Sequence, residues 1–441
     1  MAPGPGLFPA FSATGQDVWV DQNEREGSAI IISAVGARCG KCFRADRKWS
    51  AIANTHVVWP YEEVVERDFL WFKVNDENFW IRGGSAQPFV KTRESFEKQL
   101  LLPPLQEQRR IVERIETLFV ELDKGEESLR QVQILLARYR QSVLKAAVTG
   151  ELTADWRAER TGKLEHGRDL LERILQTRRD NWEGRGRYSE PSVPKSDDLP
   201  ELPEGWVWTT VEQLLRAGLS NGRSVPDAQE GFPVLRLTAL KDGWIDLSER
   251  KIGAWDEESA RGFLIQSGDI LVSRGNGSKR LVGRGGLILD EPDPVAYPDT
   301  MIKVPLLLDH LSAEWFVQLW NSPFMREQIE KAAKTTAGIY KINQTDIRGF
   351  KVPLPPLEEQ LLIAEKVGES AEAIAALESQ CGGELKRSAA LRQSILKDAF
   401  SGCLVPQDPN DESASNLLAR IRQSRDPGQG RSRRKKSAAR A

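Results

Sequence analysis

Cys39 and Cys42 have the spacing of redox-active and metal-binding pairs, and they lie in the run GARCGKC, residues 36–42. This run resembles a phosphate-binding loop, but it is one residue too short and ends in Cys where Mg²⁺ coordination requires Ser or Thr. A metal or redox site is also disfavoured, because the sequence has no second pair of this kind and His56 is the only nearby histidine. We interpret residues 36–42 as a hairpin turn.

Two further motifs resemble parts of catalytic sites. Asn321-Ser322-Pro323-Phe324 is similar to the Asn-Pro-Pro-Phe motif of amino-methyltransferases, but Ser322 as a helix N-cap, with Pro323 at the first helical position, explains it better. Pro298-Asp299 could begin a nuclease motif, but the acidic residue and lysine that should follow are first found at 384–386. The three histidines, at 56, 166 and 310, are scattered. The sequence therefore predicts no catalytic or metal site.

Basic residues beside glycine-containing turns are the positive signal. The run SRGNGSKRLVGR, residues 273–284, has no acidic residue, and the similar run around residues 38–48 has one, Asp46. Ile32-Ser33 aligns with Val272-Ser273, so we expect the two runs to occupy corresponding hairpins. Arginine and lysine at such turns suit DNA phosphate and major-groove contacts, although charged hairpins are often merely solvated. The predicted DNA-binding residues here are Arg38, Lys41, Arg44, Lys48, Arg274, Lys279, Arg280 and Arg284.

A polar run at residues 335–344 is a third candidate for DNA contact. It contains Thr336, Tyr340 and Lys341, and it could equally be a plain loop.

The composition limits the function. With 62 Lys and Arg against 64 Asp and Glu, the net charge of the 441 residues is −2, which excludes a uniformly basic, histone-like protein. Nucleic-acid binding would come from local clusters, or from a complex whose other subunits share the phosphate contacts. No run approaches the roughly 18 apolar residues of a membrane span, no secretory signal is evident, and four cysteines are too few for a disulfide framework. We expect a cytoplasmic protein.

An internal repeat organises the chain. LPPLQEQ at 102–108 matches LPPLEEQ at 354–360 in six of seven positions, and RQSVLKAAVTGEL at 140–152 matches RQSILKDAFSGCL at 392–404 in eight of thirteen. Both matches have an offset of 252 residues. Because proline suits the first turn of a helix but not its interior, the Pro-Pro pairs predict helix starts near Leu105 and Leu357.

Apolar residues follow each predicted helix start at alternating spacings of four and three. The first seam runs from Ile111 to Ala146 and includes Val132 and Tyr139, and a weaker seam at 363–398 repeats it. This spacing is typical of a coiled coil, and 36 residues of helix span about 54 Å. We expect two long helices that pack on each other, the alternative being two unrelated amphipathic surface helices.

The regions before the two repeats contain short apolar, β-branched runs separated by turn residues, and each ends in a helical stretch. The helical stretches are expected near residues 62–73 and 313–334. Neither region has the βαβ alternation of a nucleotide-binding sheet. The predicted fold class is α+β, with two mixed α/β domains separated by two long helices that form a coiled coil.

The chain resembles the specificity subunits of Type I restriction-modification systems. The resemblance is carried by LPELPEGWVW (199–208), GDILVSRGNGS (268–278), the two Pro-Pro helix starts, RQSVLKAAVTGELTADWR (140–157) and LKDAFSGCLVPQDP (396–409). It implies two target-recognition domains, each recognising one half of a bipartite double-stranded DNA sequence, and two antiparallel helices that set the spacer and dock methyltransferase subunits. It also implies that this chain is not an enzyme. Methylation and cleavage would belong to methyltransferase and restriction/translocase subunits that bind S-adenosylmethionine, ATP and Mg²⁺.

The resemblance also implies domain boundaries. The first recognition domain is expected at 1–101 and, having no counterpart of LPEGWVW, is expected to be shortened at its N-terminus. A first helical repeat at 102–160, a helical linker at 161–198, the second recognition domain at 199–352 and a second helical repeat at 353–405 follow. Residues 406–441 are expected to form a helix and a basic disordered tail, which either contacts DNA non-specifically or has no role.

The charged outer faces of the helices are the predicted partner surface, because a two-helix coiled coil buries only one stripe of each helix. The candidate residues are Glu113, Arg114, Glu116, Arg130 and Arg138. Two other functions compete with DNA recognition. A fused methyltransferase or nuclease would need a cofactor loop or a carboxylate-lysine cluster, and the sequence has neither. A coiled-coil scaffold would leave the basic hairpins without a function.

Overall fold

The computed structural model describes residues 7–182, 187–194, 199–336 and 338–424. The chain divides into two compact units, unit 1 with residues 1–131 and 381–441 and unit 2 with residues 132–380. The basic tail that begins at residue 425 lies outside the described residues. Within the described ranges no helix is both long enough and apolar enough to cross a membrane.

Unit 1 begins with short strands in small sheets, ordered β2-β1-β6-β3, β5-β4-β7 and β8-β9. The strands are β1 (Phe8–Ser12), β2 (Gly15–Val20), β3 (Arg25–Glu26), β4 (Ala29–Ser33), β5 (Cys42–Ala45), β6 (Lys48–Ala51), β7 (Thr55–Val58), β8 (Arg82–Gly83) and β9 (Phe89–Val90). Helices α1 (Arg67–Val74) and α2 (Thr92–Phe96) accompany them. Side chains alternate between the two faces of a strand, and both faces of β4 are buried. Ile30 and Ile32 pack with Trp80 on one face, and Ile31 packs with Trp49 on the other.

Unit 2 contains a larger sheet ordered β11-β18-β15-β17-β13, and smaller sheets β10-β21, β12-β14 and β16-β20-β19. The strands are β10 (Val207–Thr210), β11 (Ser220–Asn221), β12 (Asp227–Leu235), β13 (Gly243–Trp244), β14 (Arg250–Gly253), β15 (Ile270–Ser273), β16 (Gly275–Asn276), β17 (Gly285–Leu287), β18 (Met301–Val304), β19 (Lys334–Thr336), β20 (Ile339–Lys341) and β21 (Lys351–Leu354). The helices are α4 (Ala154–Ala158), α5 (Gly167–Asp180), α6 (Glu257–Ala260), α7 (Ala313–Trp320), α8 (Pro323–Ala332) and α9 (Gln344–Arg348).

The core of unit 2 lies between its larger sheet and α7. Ile270 and Val272 of β15 belong to one buried cluster with Phe316 and Trp320 of α7. Leu170 and Ile174 of α5 are fully buried in the same cluster, so the segment expected as a helical linker contributes to this core.

The stretch 313–334, expected as one helix, is two helices, α7 and α8. Asn321 bonds to the backbone of Gly285 at 2.9 and 3.1 Å. The Ser322 hydroxyl caps α8 by accepting from the Met325 amide, and Pro323, which has no N–H to donate, occupies the first turn. The predicted N-cap role of Ser322 is therefore confirmed, and the prediction of an unbroken helix is wrong.

Two 45-residue helices, α3 (Leu105–Thr149) and α10 (Leu357–Ser401), begin at the predicted residues. A shorter helix, α11 (Ala414–Ser424), follows α10. In unit 1, Ile111 and Ile115 share a buried cluster with Ile395 and Ala399. In unit 2, Val143 and Ala147 share one with Ile363 and Val367. The start of each helix thus packs on the end of the other, so the pair is antiparallel, and the predicted packing is confirmed.

The predicted heptad seam is correct as far as Leu122. Beyond it, the predicted positions Leu136 and Val143 are still buried, but the alternate positions at 125, 132, 139 and 146 are displaced by one residue. Val132 and Tyr139 are 39% and 55% exposed, whereas Arg140 is partly buried and Ala147 is buried. A straight helix makes ten turns in about 36 residues, so the face that starts at Ile111 returns at Ala147 rather than at Ala146.

The displaced positions carry two ion pairs related by the repeat. In unit 2, Arg140 lies 3.3 Å from Glu378, and in unit 1, Arg392 lies 3.2 Å from Glu126. Each arginine and each glutamate is 252 positions from its counterpart. The two copies of the repeat therefore fold alike in detail.

Candidate nucleic-acid interface

The two basic hairpins close in the same way. In unit 1 the Ser33 amide donates to the Lys41 carbonyl and the Gly40 amide donates to the Ser33 carbonyl, both at 2.8 Å. In unit 2 the Ser273 amide donates to the Arg284 carbonyl at 2.8 Å, and the Gly283 amide donates to the Ser273 carbonyl at 2.9 Å. The correspondence predicted from the alignment of Ile32-Ser33 with Val272-Ser273 is confirmed.

The cysteine pair of unit 1 belongs to this hairpin. Both thiols are free and buried, and burial raises the pKa of the Cys42 thiol to about 12. Gly40 has a positive φ of 94°, and a side chain there would meet the Trp80 ring at 2.7 Å. Among the described residues no group of three potential metal ligands is found. The residues therefore form the turn that the sequence predicts.

The basic residues of the unit 1 hairpin differ in how far their charge is available. Arg38, Lys41 and Lys48 are exposed. Arg44 is also exposed, but it lies 3.0 Å from Glu116 and stacks over the Trp71 ring at 4.5 Å. Of the predicted contacts on this hairpin, Arg44 therefore has a charge that is already paired.

Asp46, the acidic residue of this run, is neutralised by Arg67. The Arg67 guanidinium bonds to the Asp46 carboxylate and holds its pKa below the ordinary value. The Asp46 carboxylate therefore stays ionised near neutral pH, and the charge of Arg67 offsets it.

In unit 2 the loop between β15 and β17 is held by Arg326 of α8. Its guanidinium donates to the Val282 carbonyl at 2.6 Å and to the Lys279 carbonyl at 3.1 Å. The side chains of Lys279 and Arg280 remain exposed, whereas Arg284 lies 3.5 Å from Asp242. The role of Arg326 could not be predicted from the sequence, because this residue lies more than 40 positions from the carbonyls that it bonds.

Strands β16, β20 and β19 join the basic loop to the polar run at 335–344. Gly275 pairs with Lys341, and Asn276 pairs with Tyr340. The Ile342 amide donates to the Arg274 carbonyl at 3.0 Å. The polar run is thus not a plain loop, and two candidates that the sequence left separate form one continuous structure. We call the loop 274–284 with β16, β19 and β20 the basic loop-sheet.

Two lysines stand directly opposite each other in the basic loop-sheet. Lys334 pairs in register with Lys341, and both side chains are exposed. Like charges at directly paired positions destabilise a sheet, and neither the loop nor the two strands contain an acidic residue. Lys334 was not among the predicted residues, since only the strand register shows its position. Thr336 ends β19, and its side chain lies outside the described part of the structure.

Unit 1 has a less basic version of this sheet. The Val90 amide donates to the Ala34 carbonyl at 2.9 Å, as Ile342 does to Arg274 in unit 2, and Val90 and Ile342 differ by the repeat offset of 252. Phe89 occupies the position of Lys341. The repeat therefore extends back beyond the Pro-Pro pairs, and the two versions differ in the residue presented at this position.

The predicted partner surface lies on α3. All five candidate side chains are exposed, although Glu116 pairs with Arg44 and Arg130 pairs with Glu126 at 3.0 Å. In unit 1 a groove of about 570 Å³ runs along this helix, lined among others by Arg109, Glu113, Glu116 and Lys124. Both signs of charge line it.

Comparisons with known proteins agree on one family. Residues 20–130 match the family model described as the Type I restriction modification DNA specificity domain. The chain is 30% identical over 346 residues to the Type I restriction enzyme EcoKI specificity subunit of Escherichia coli, and this match covers 76% of the chain and 66% of that relative. It is 24% identical to the EcoDI specificity subunit of Escherichia coli, covering 99% of the chain and 93% of that relative.

A solved structure shares the fold. A chain from a structure concerned with complex assembly and conformational transition of the Type I R-M system superposes with a TM-score of 0.57 at 18% identity, covering 90% of this chain and 92% of that one.

Proposed function

Because the chain belongs to the specificity subunits of Type I restriction-modification systems, we propose that it is the sequence-specific DNA-binding subunit of such a complex. Each unit supplies one recognition domain, and each domain binds one half of a bipartite double-stranded target. The two basic hairpins, closed by the same hydrogen bonds, are the equivalent DNA-contacting elements of the two domains.

The observation that carries this proposal is the basic loop-sheet of unit 2. It holds Arg274, Lys279, Arg280, Lys334 and Lys341 without an acidic residue among them. A register that places two exposed lysines opposite each other costs stability in the free protein, and a bound phosphate removes that cost. Glycine at 275 and 277 allows close backbone approach to DNA.

We propose that the chain has no catalytic role of its own. Methyl transfer and cleavage are assigned to methyltransferase and restriction/translocase subunits, with S-adenosylmethionine, ATP and Mg²⁺ bound there. The exposed charges of α3 are the proposed docking surface for the methyltransferase subunits, and the length of the paired helices is proposed to set the spacer between the half-sites. The proposed location is the cytoplasm, where such complexes meet DNA.

The test is DNA binding by the complex assembled with its methyltransferase subunits. The variant Arg274→Ala/Lys279→Ala/Arg280→Ala is expected to bind a duplex carrying the methylated motif of the host genome more weakly than the wild type, because phosphate contacts dominate affinity. Its pull-down with the methyltransferase subunits should be unchanged, since the proposed docking charges belong to α3 and not to this loop.

The matched control replaces three exposed, ion-paired cations on helices, Lys331, Arg387 and Arg420, by alanine. It changes the net charge equally and is expected to leave binding near the wild-type level. Equal affinity of the loop variant and the wild type would overturn the assignment of the basic loop-sheet to DNA. It would favour a scaffold whose basic hairpins have no role in recognition.

A further inference from the structure

A pocket of unit 2 lies between α7, the edge strand β13 and the unit 2 parts of the two long helices. Its volume is about 560 Å³. Apolar side chains form much of its wall, among them Val143 of α3, Leu287 of β17, Val317 of α7 and Val367 of α10. Trp244 of β13 also lines it and is 44% exposed, so the pocket is open to solvent. We call it the α7 pocket.

Helix α7 is the counterpart of α1 in unit 1. Both helices have eight residues, and their N-cap residues and C-cap residues are each 246 positions apart. In both units the C-cap is an asparagine whose side chain accepts an amide N–H from a neighbouring strand, at 2.9 Å for Asn75 and 3.1 Å for Asn321. By this offset Gln318 of α7 corresponds to Phe72 of α1.

In unit 1 aromatic rings join the domain helix to the long helices. Phe72 of α1 and Phe119 of α3 pack edge to face, with ring centroids 5.8 Å apart. The Arg392 guanidinium of α10 lies over the Phe119 ring, 5.0 Å from its centroid. By the repeat offset of 252, Phe119 corresponds to Ala371 and Arg392 corresponds to Arg140.

Unit 2 keeps the arginine and lacks both rings. Gln318 takes the place of Phe72, and Ala371 takes the place of Phe119. Gln318 and Ala371 both line the α7 pocket. Ala371 is exposed, and a side chain added at Gly368, on the preceding turn of α10, would meet nothing within 4 Å. The α7 pocket is therefore the open counterpart of a space that two aromatic rings occupy in unit 1.

Two polar atoms of the pocket-lining side chains are buried and have no hydrogen-bond partner in the described part of the chain. One is Oε1 of Gln318, whose Nε2 donates to the Ala364 carbonyl at 3.1 Å. The other is Nε of Arg140, whose terminal nitrogens face Asp242 at 3.5 Å and Glu378 at 3.3 Å. A buried polar atom without a partner costs stability, and a ligand that pairs with it removes that cost.

The lining of the α7 pocket limits the kind of ligand that fits. Its volume and its mainly apolar wall with a few polar atoms are typical of small-molecule sites. Asp242, Glu314 and Glu372 line it together with Arg140, so an anion is disfavoured. An aromatic ring can face the Arg140 guanidinium as Phe119 faces Arg392. An N–H or O–H group on the ring would satisfy the free acceptor of Gln318.

We propose that the α7 pocket binds a small, uncharged aromatic molecule that carries an N–H or O–H donor. The ring lies against Arg140 and Ala371, and the donor bonds to Oε1 of Gln318. The bound molecule joins α7 to the long helices within unit 2, as the phenylalanine pair does in unit 1. This site is independent of the proposed DNA recognition, because these three residues lie outside the basic loop-sheet.

The test titrates the whole chain with indole and with its N-methyl derivative, followed by ligand-observed NMR and by the melting temperature. We expect saturable binding of one indole per chain and a higher melting temperature, because the ligand binds only the folded state. N-methylindole keeps the ring but lacks the donor. It should bind at least about fivefold more weakly, because the buried acceptor stays unpaired.

Two variants identify the site. Ala371→Phe supplies the ring that unit 1 has at this position, and it should abolish indole binding and raise the melting temperature of the free chain. The matched control Ala373→Phe makes the same change at an exposed residue of α10 outside the pocket, and indole affinity should stay within about twofold. Gln318→Met removes the acceptor, so indole and N-methylindole should bind this variant within about twofold of each other.

The outcomes separate the proposal from its competitors. Absence of saturable indole binding overturns it, as does indole binding that Ala371→Phe leaves unchanged. If Ala371→Phe does not fold, Gln318→Met decides, because an undiminished preference for indole over N-methylindole in that variant also overturns the proposal. If indole does not bind and Ala371→Phe weakens pull-down of the methyltransferase subunits, the occupant is a protein side chain, and the small-molecule proposal is wrong.

Discussion

The substitution Lys341→Glu should raise the stability of unit 2 and lower its affinity for DNA. Lys341 lies opposite Lys334 in the register of β19 and β20, and both side chains are exposed. Glutamate at 341 would convert a like-charge cross-strand pair into an opposite-charge pair. A requirement for stability alone would not favour lysine at position 341, whereas a requirement for phosphate binding would.

The expected gain in stability is modest. Replacing a repulsive pair by an attractive one changes two contributions of about 0.2–1 kcal/mol each, and exposure to solvent keeps the sum near 0.5–1 kcal/mol. For a unit of this size the melting temperature should rise by about 1–4 °C.

The expected change in DNA binding follows from counterion release. Each phosphate contact contributes about 0.9 to the slope of log affinity against log salt concentration, so losing one contact and adding a repulsive charge should reduce the slope by about 0.9–1.8. A fourfold rise in salt concentration lowers the affinity of both proteins for DNA. The factor by which it lowers the affinity should be about 3.5 to 12 times smaller for the variant than for the wild type.

Both quantities can be measured on the same preparations, by differential scanning calorimetry of the chain and by DNA titrations of the assembled complex at 50–200 mM salt, a range that spans about one fourfold change. The control Lys163→Glu makes the same charge change at an exposed turn between α4 and α5. It should change neither the melting temperature nor the salt slope appreciably. A stabilised variant with the wild-type slope would show that Lys341 does not contact phosphate, and a destabilised variant would refute the argument from cross-strand repulsion.

Four further expectations can be checked independently. Arg157→Met should lower the free energy of unfolding in urea by about 3 kcal/mol, because it leaves the buried Glu359 without its cation. Arg140→Met should lower it by less than about 1 kcal/mol, since the pair of Arg140 with Glu378 is partly exposed. Equal losses for the two variants would contradict this ranking. The raised pKa of the buried Cys42 thiol contributes to the stability of the folded state below the unfolded-state thiol pKa of about 9, and this contribution should be lost as the pH rises towards about 12. In iodoacetamide labelling at about pH 8, native protein should react at the exposed Cys403 and not at Cys42. Inserting one heptad into both long helices should lengthen the preferred spacer by about three base pairs, as measured by methylation of duplexes of varied spacer, with an unchanged spacer arguing against a ruler. Charge reversal on α3 should reduce methyltransferase pull-down, and intact assembly would place the partner elsewhere; the positions are Glu113, Arg114 and Arg138.

The internal repeat made much of the helical architecture predictable. Proline pairs fix helix starts by local sterics, so Leu105 and Leu357 were found without any tertiary information. The N-cap role of Ser322 and the correspondence of the two hairpins were likewise predictable, because capping and turn formation depend on neighbours within a few residues.

Predictions failed where a periodic pattern was extended too far. Beyond Leu122 every second position of the seam follows the phase of a straight helix rather than a strict heptad, which places Tyr139 in solvent. The expected helix at 313–334 is interrupted at Ser322-Pro323, where α8 begins, and Asn321 at the end of α7 bonds to the backbone of Gly285, 36 positions away in sequence.

The repeat, the helix starts, the hairpin turns and the basic character of the loop at 274–284 follow from the sequence alone, because each depends on residue type and short-range spacing. Which of the basic side chains are free to bind a phosphate depends on the tertiary structure. Arg44 is paired with Glu116, whereas Lys334 is brought opposite Lys341. Only the fold brings Gln318 and Ala371 to the same pocket. Partners far apart in sequence carry no local signal, and their distances follow from how strands and helices pack.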